Sequence, residues 1–163
     1  MTTIGELARQ HTDLSKEQIG HLVNLASEWG MLADVSFADL LMYVPVEGDN
    51  WLVLAQVRAA TGQTLYLADW VGSQTSSVER PLLGAATKSG VPCEGEIFIQ
   101  GVAEDCRMMA IPVQFEGEVI AVLTREWSQH TGRQPGELER TYLSIFQRIA
   151  EMITEGTFPF PGR

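Results

Sequence analysis

The sequence predicts an α+β fold, with one antiparallel sheet of about six strands and the N- and C-terminal helices packed together on one face of it. Two observations carry that expectation. Apolar residues recur at helical spacing near both ends of the chain, and short apolar runs joined by tight turns fill the middle. No unit repeats at a fixed period, which sets solenoids and propellers aside. With 163 residues, 45% of them hydrophobic and 20% charged, there is enough apolar side chain for one core.

The first helix is expected over Thr3–His11, where Thr3 and Glu6 form a capping box and Ile4, Leu7 and Ala8 share a face. A longer helix opens at Ser15 with Gln18 three residues on, and places Ile19, Leu22, Ala26, Trp29 and Ala33 along one seam. From Asp39 the period shortens. Leu40–Val44 and Trp51–Ala55 are apolar runs about the turn-forming Glu47-Gly48-Asp49-Asn50, hence a hairpin of two buried strands. A third strand is expected at Thr64–Ala68, followed by the Ser-rich stretch Gly72–Ser77, which lacks apolar anchors and reads as a mobile loop.

Pro81–Ser89 suits a short helix ending at Gly90, with Leu82, Leu83 and Ala86 inward, and a weak strand is expected at Glu96–Ile99. Met108–Phe115 and Val119–Leu123 flank the Glu116-Gly117 turn and form the clearest hairpin of the chain. Pro112 cannot donate to a ladder, so its strand should lie near an edge or carry a bulge. The last helix starts near Pro135 and runs to about Thr154. It carries one stripe of Leu138, Tyr142, Ile145, Ile149 and Met152 beside a second of Leu143, Phe146, Ala150 and Ile153. A face that wide has more to cover than one sheet, so a further helix or a second copy of the chain is expected against it.

The bulk charge excludes some functions. Eleven basic against 21 acidic residues leave a net charge of −10, with no electrostatic term to hold nucleic acid or an anionic membrane. No signal peptide or membrane span is legible, so the chain is expected to be cytoplasmic. Cys93 and Cys106 are too few for a disulfide framework and lie in no zinc motif. His11, His21 and His130 are isolated and read as surface groups, and the Met108-Met109 pair alternates across a strand as core does. No metal or cofactor is expected.

Three stretches carry a family likeness: Glu28–Asp39, then Ile111-Pro112-Val113 through Val122-Leu123-Thr124-Arg125-Glu126, and the tail Gly156-Thr157-Phe158-Pro159. They resemble the N-terminal region of soluble actinobacterial sensor histidine kinases, in which a GAF domain precedes a PAS domain and the kinase regions. The resemblance implies a GAF-type sensor domain over residues 1–155 and, in 156–163, the start of a linker to a downstream domain. It implies a homodimer, downstream PAS and kinase domains, and a response regulator with an antiterminator output. No phosphoacceptor motif and no nucleotide loop stand in this chain, so it is not expected to be an enzyme itself.

GAF domains hold small ligands between one sheet face and the segment that covers it, here Asp69–Gly95. The resemblance therefore places an unidentified small-molecule ligand among Tyr43, Gln56, Tyr66, Trp70, Arg80 and Phe98, which combine aromatic walls with an amide and a cation. Any one of them is more simply core or a solvated charge, and only the combination suggests a pocket. The Asn-Lys…Phe…Asp-Glu pattern of cyclic-nucleotide GAF domains is missing, and Cys93 lacks the histidine neighbour of bilin-attaching loops. The expected dimer interface is a helical bundle built on Ile19, Leu22, Trp29, Tyr142, Ile149 and Met152.

The expected function is thus a small-molecule or signal-sensing input domain of a two-component sensor histidine kinase. Two alternatives stand beside it. One is a pure dimerisation module whose pocket is collapsed onto its own aromatics. The other is an enzyme resembling the free methionine sulfoxide reductases, which run a cysteine relay on the same fold and would need Cys93 and Cys106 to cooperate.

Overall fold

Both predicted capping devices form in the computed structural model, which describes residues 3–36, 38–58, 69–99, 105–128 and 137–158. Helix α1 (Ile4–His11) starts on Thr3, whose hydroxyl accepts from the Glu6 amide. Helix α2 (Lys16–Ser36) starts on a reciprocal box: the Gln18 amide donates to Ser15 Oγ, and the Ser15 amide donates to Gln18 Oε1.

The sheet follows as β1 (Asp39–Val46), β2 (Asn50–Val57), β3 (Gln74–Ser76), β4 (Cys93–Ile97), β5 (Cys106–Phe115) and β6 (Glu118–Ser128), with α3 (Pro81–Ser89) between β3 and β4 and α4 (Glu137–Glu155) last. The six strands lie in the order β3-β2-β1-β6-β5-β4, and every pair is antiparallel. The β5–β6 turn holds Glu116 at φ 51° and Gly117 at φ 81°, two left-handed residues as a primed hairpin turn requires. Pro112 meets its expectation of an edge, since the β4 ladder stops at Ala110, and the nearby bulge lies on the facing strand β6, where Ile120 is the extra residue.

The two faces of the sheet separate two cores. On one face α1, α2 and α4 cover Leu40, Met42, Val44, Leu52, Leu54, Ile111, Val113 and Leu123, and Leu22, Leu25, Phe146, Ala150 and Ile153 fill the seam. On the other face α3 covers Leu41, Tyr43, Trp51, Val53, Met108, Ala110 and Val122 with Leu83 and Ala86. Each of two bulges sets consecutive residues toward the helices, Leu54/Ala55 on β2 and Ile120/Ala121 on β6, so alternation changes phase there. Met108 and Met109 divide between the faces as expected of core.

Helix α4 ends in a Schellman motif, with the Thr157 amide on the Met152 carbonyl and the Gly156 amide on that of Ile153. Gly156 is at φ 80°, and a Cβ there would stand 3.1 Å from the Gln114 carbonyl oxygen. Only glycine lets the end of α4 lie this close to the β5–β6 hairpin.

Three expectations need correction. The stretch Gly72–Ser77 is not a loose loop: Gln74–Ser76 forms β3, the Val53 amide donates to the Ser73 carbonyl, and the Gly72 and Ser77 amides donate to the carbonyls of Val53 and Asp49. Backbone pairing to the β2 edge needs no apolar side chain, and the one inward residue, Thr75, is buried. The weak strand begins three residues earlier than expected, at Cys93. His21 is buried, with its ring centroid 4.8 Å from that of Phe115. The strand expected at Thr64–Ala68 lies outside the described residues, as do Pro135 and His130.

Candidate functional site

On the α3 face the apolar core gives way to polar groups toward one end of the central strands. Residues directly opposite one another in a ladder point to the same face, so Asp39 on β1, Glu126 on β6 and Met108 on β5 stand side by side. One step along β6, Thr124 and Ser128 flank Glu126, and all four polar residues are buried. The Tyr43 hydroxyl donates to Glu126 Oε2 at 3.0 Å, and the Thr124 hydroxyl donates to the same oxygen. Two carboxylates opposite each other repel, and hydroxyl donors on one of them offset part of that cost.

The expected pocket residues distribute around this row. Gln56, beyond the β2 bulge, pairs with Leu41 and so faces α3; its Oε1 accepts from the Trp70 amide at 2.7 Å, which moors the incoming segment to the sheet. Trp70 packs half-buried against the α3-side core. Arg80, at the N-cap of α3, is only 4% exposed, and its Nη1 donates to the Phe98 carbonyl at 2.8 Å, tying α3 to the end of β4. Tyr43, Gln56, Trp70 and Arg80 thus belong to one face and its cover. Phe98 contributes its backbone, while its ring is 74% exposed and is no wall of a cavity. Tyr66 lies outside the described residues.

Asp39, Thr124, Glu126 and Ser128 escaped the sequence reading. Their signal was an even-numbered polar series, Thr124-Glu126-Ser128, continuing a strand whose apolar part had already been assigned to a buried hairpin. On the opposite face Arg125 lies 4.1 Å over the Trp127 ring, and burial lowers its pKa to about 10 against the raising influence of Glu94.

A depression of about 1000 Å³ opens away from this row, where α1 meets α2 beside the β1–β2 turn, between Arg9, Asp13, Gln18, Glu47 and Glu118. Its lining holds no Phe, Tyr or Trp and carries charges of both signs, unlike the largely apolar walls that small-molecule sites present.

The two cysteines do not form a relay. Cys93 pairs with Ala110 and Cys106 with Ile97, so they stand at opposite ends of the β4–β5 ladder. Four strand residues span about 13 Å, beyond the ~7 Å limit for a disulfide.

The architecture, a six-stranded antiparallel sheet with terminal helices on one face and a polar, covered opposite face, agrees with a family match. The family model "Histidine kinase PdtaS, GAF domain" matches residues 4–145. The chain belongs to this GAF-domain family.

The GAF domain is 36% identical over 165 residues to the sensor histidine kinase PdtaS of Mycolicibacterium smegmatis, and 37% identical over 166 residues to that of Mycobacterium tuberculosis. Each alignment covers 99% of this chain and 33% of the relative, so the chain spans about a third of those kinases. A solved sensor region of a sensor histidine kinase superposes with a TM-score of 0.80 at 33% identity, over 100% of this chain and 57% of that one. The GAF-B domain of DevS from Mycobacterium smegmatis, at a TM-score of 0.53 and 16% identity over 83% of this chain and 90% of that one, shares the fold. Within this family the domain is a sensing input module. Among the described residues, no helix is long and apolar enough to cross a membrane.

Proposed function

We propose that this GAF domain receives a small polar ligand on the α3 face, under the Asp69–Gly95 segment, as the input of a cytoplasmic two-component sensor histidine kinase. The observation that carries the proposal is the asymmetry of burial. Asp39, Thr124, Glu126 and Ser128 are buried on the face covered by α3, whereas His21 is the one buried polar residue on the helix side among the described residues. Burying polar groups costs stability that apolar side chains would not, even when they are hydrogen-bonded as Glu126 is, so their collection on one covered face suits recognition better than packing. Tyr43, Gln56, Trp70 and Arg80 contribute to the same region, with Gln56 and Arg80 holding the cover in place.

In the full-length protein the output would pass through α4 and the linker beyond residue 155 to PAS and kinase domains, and from there to a response regulator. A homodimer suits that route. Ile19, Leu22 and Trp29 spend their surface in the protomer's own core and are not available to a partner. Tyr142, Ile149 and Met152 remain partly exposed on α4, joined there by Ile145, with Val23 exposed on α2. The interface is therefore narrower than the sequence suggested and centred on α4.

Melting the domain against a panel of metabolites and nucleotides tests the ligand. A binder raises Tm saturably by mass action, and Gln56→Leu weakens that rise. A panel without any rise, or a rise that Gln56→Leu leaves intact, removes the α3 face as the ligand site.

A further inference from the structure

His21 sits where three elements converge. It lies on α2, is 5% exposed, and tilts its ring at 35° against Phe115 on the β5–β6 hairpin. Phe115 in turn packs on the helix-side core, whose floor is shared by α4. One residue before Phe115, the Gln114 carbonyl is the group approached by Gly156 at the end of α4. The imidazole is thus a filler between α2 and the hairpin that carries the exit of α4.

We infer that His21 is a proton-sensitive joint: in its neutral form it seats α2 on the β5–β6 hairpin, and its protonation loosens that seat and the end of α4 that rests on the same hairpin.

The chemistry of the site supports this. Nε2 is buried and, among the described residues, has no hydrogen-bond partner. In the neutral ring that costs one weak acceptor, but in imidazolium both nitrogens are donors and an unmet N–H beside a positive charge is far more expensive. Burial accordingly lowers the His21 pKa from its ordinary value. Charged side chains on the elements around it include Lys16, Glu17 and Glu28 on α2, Glu116 and Glu118 at the hairpin turn, and Arg140, Arg148, Glu151 and Glu155 on α4. Gln18 Nε2 donates to Glu118 at 3.5 Å, and among the described residues burial is the cause of the His21 shift.

The sign follows. The folded pKa is depressed, so below the ordinary histidine value of ~6.5 the unfolded chain binds more protons than the folded one, and stability is lost as pH falls through that value. The loss levels off below the folded pKa.

A proton NMR titration of the 163-residue chain from neutral to mildly acid pH tests the joint. The imidazole protons of His21 are expected to titrate below those of a free histidine peptide, and the amides of Gln114, Phe115 and Gly156 should move with the His21 midpoint. In parallel, His21→Leu keeps an apolar filler without a charge, and should show a clearly shallower fall of Tm between pH 7.5 and 5.5 than the wild-type chain. His21 titrating with or above the free peptide, amides that stay still, collapse of the whole spectrum before His21 titrates, or parallel Tm slopes would each overturn the inference.

Discussion

The two faces of the sheet use the same strands for opposite ends. On the helix side the buried residues are apolar except for His21 among those described, and α2 and α4 interlock through Leu22, Leu25, Phe146 and Ile153. On the α3 side a smaller apolar cluster passes into a buried row of hydroxyls and carboxylates, covered by one short helix and by a segment that β3 ties to the β2 edge. The first arrangement holds the fold. The second gives up some packing to place polar chemistry out of water.

That comparison can be broken most directly on the helix side. Phe146 is 1% exposed at the centre of the interlock, and Phe146→Ala should cost about 3–5 kcal/mol in urea unfolding. A loss below ~1 kcal/mol would mean that α4 is not structural cement. A smaller effect is expected across the sheet, where Tyr43→Phe removes a donor from a fully buried carboxylate and should cost about 1–3 kcal/mol. A neutral Tyr43→Phe would show that Glu126 does not depend on this hydroxyl. The smallest change in protomer stability, within about 0.5 kcal/mol, is expected from Ile145→Glu on the outer surface of α4, because this side chain is already 44% exposed. Its effect should appear in association instead: light scattering should report a dimer for the wild-type chain and a monomer for the variant. Equal masses would place the dimer contact elsewhere or dispense with it.

Much of the scaffold could be read from residue order because it rests on local rules. The Ser15/Gln18 box, the Glu116-Gly117 turn, the position of Pro112 and the Phe146/Ala150/Ile153 stripe each follow from spacing within a few residues, and each is present. What escaped was set by neighbours distant in sequence. The strand at Gln74–Ser76 exists because β2 offers an unpaired edge, a property of Asn50–Leu52 rather than of the serines. His21 is buried because Phe115, more than ninety residues later, comes to lie against it. Asp39 and Glu126 become a pair only through the β1–β6 register. In the same way Ile19, Leu22 and Trp29 have the spacing of an interface, and nothing in that spacing tells whether the protomer's own α4 covers them.

The extra residue in β2 has a consequence for how such a site can be gained or lost. Because Leu54 and Ala55 both turn toward the helices, every residue after them arrives on the face opposite to the one plain alternation would give. Gln56 opposes Leu41 for this reason. In evolutionary terms the bulge makes side-chain destination a matter of register: substitutions that straighten the strand there at constant length would keep its neighbours and nearly all of its composition. Straightening would nonetheless deliver the amide to the apolar helix layer and an alanine to the polar face, whereas deleting the extra residue Leu54 would leave Gln56 opposite Leu41. Chains of this family that differ only in whether this bulge forms could therefore share a fold and differ in what they can recognise.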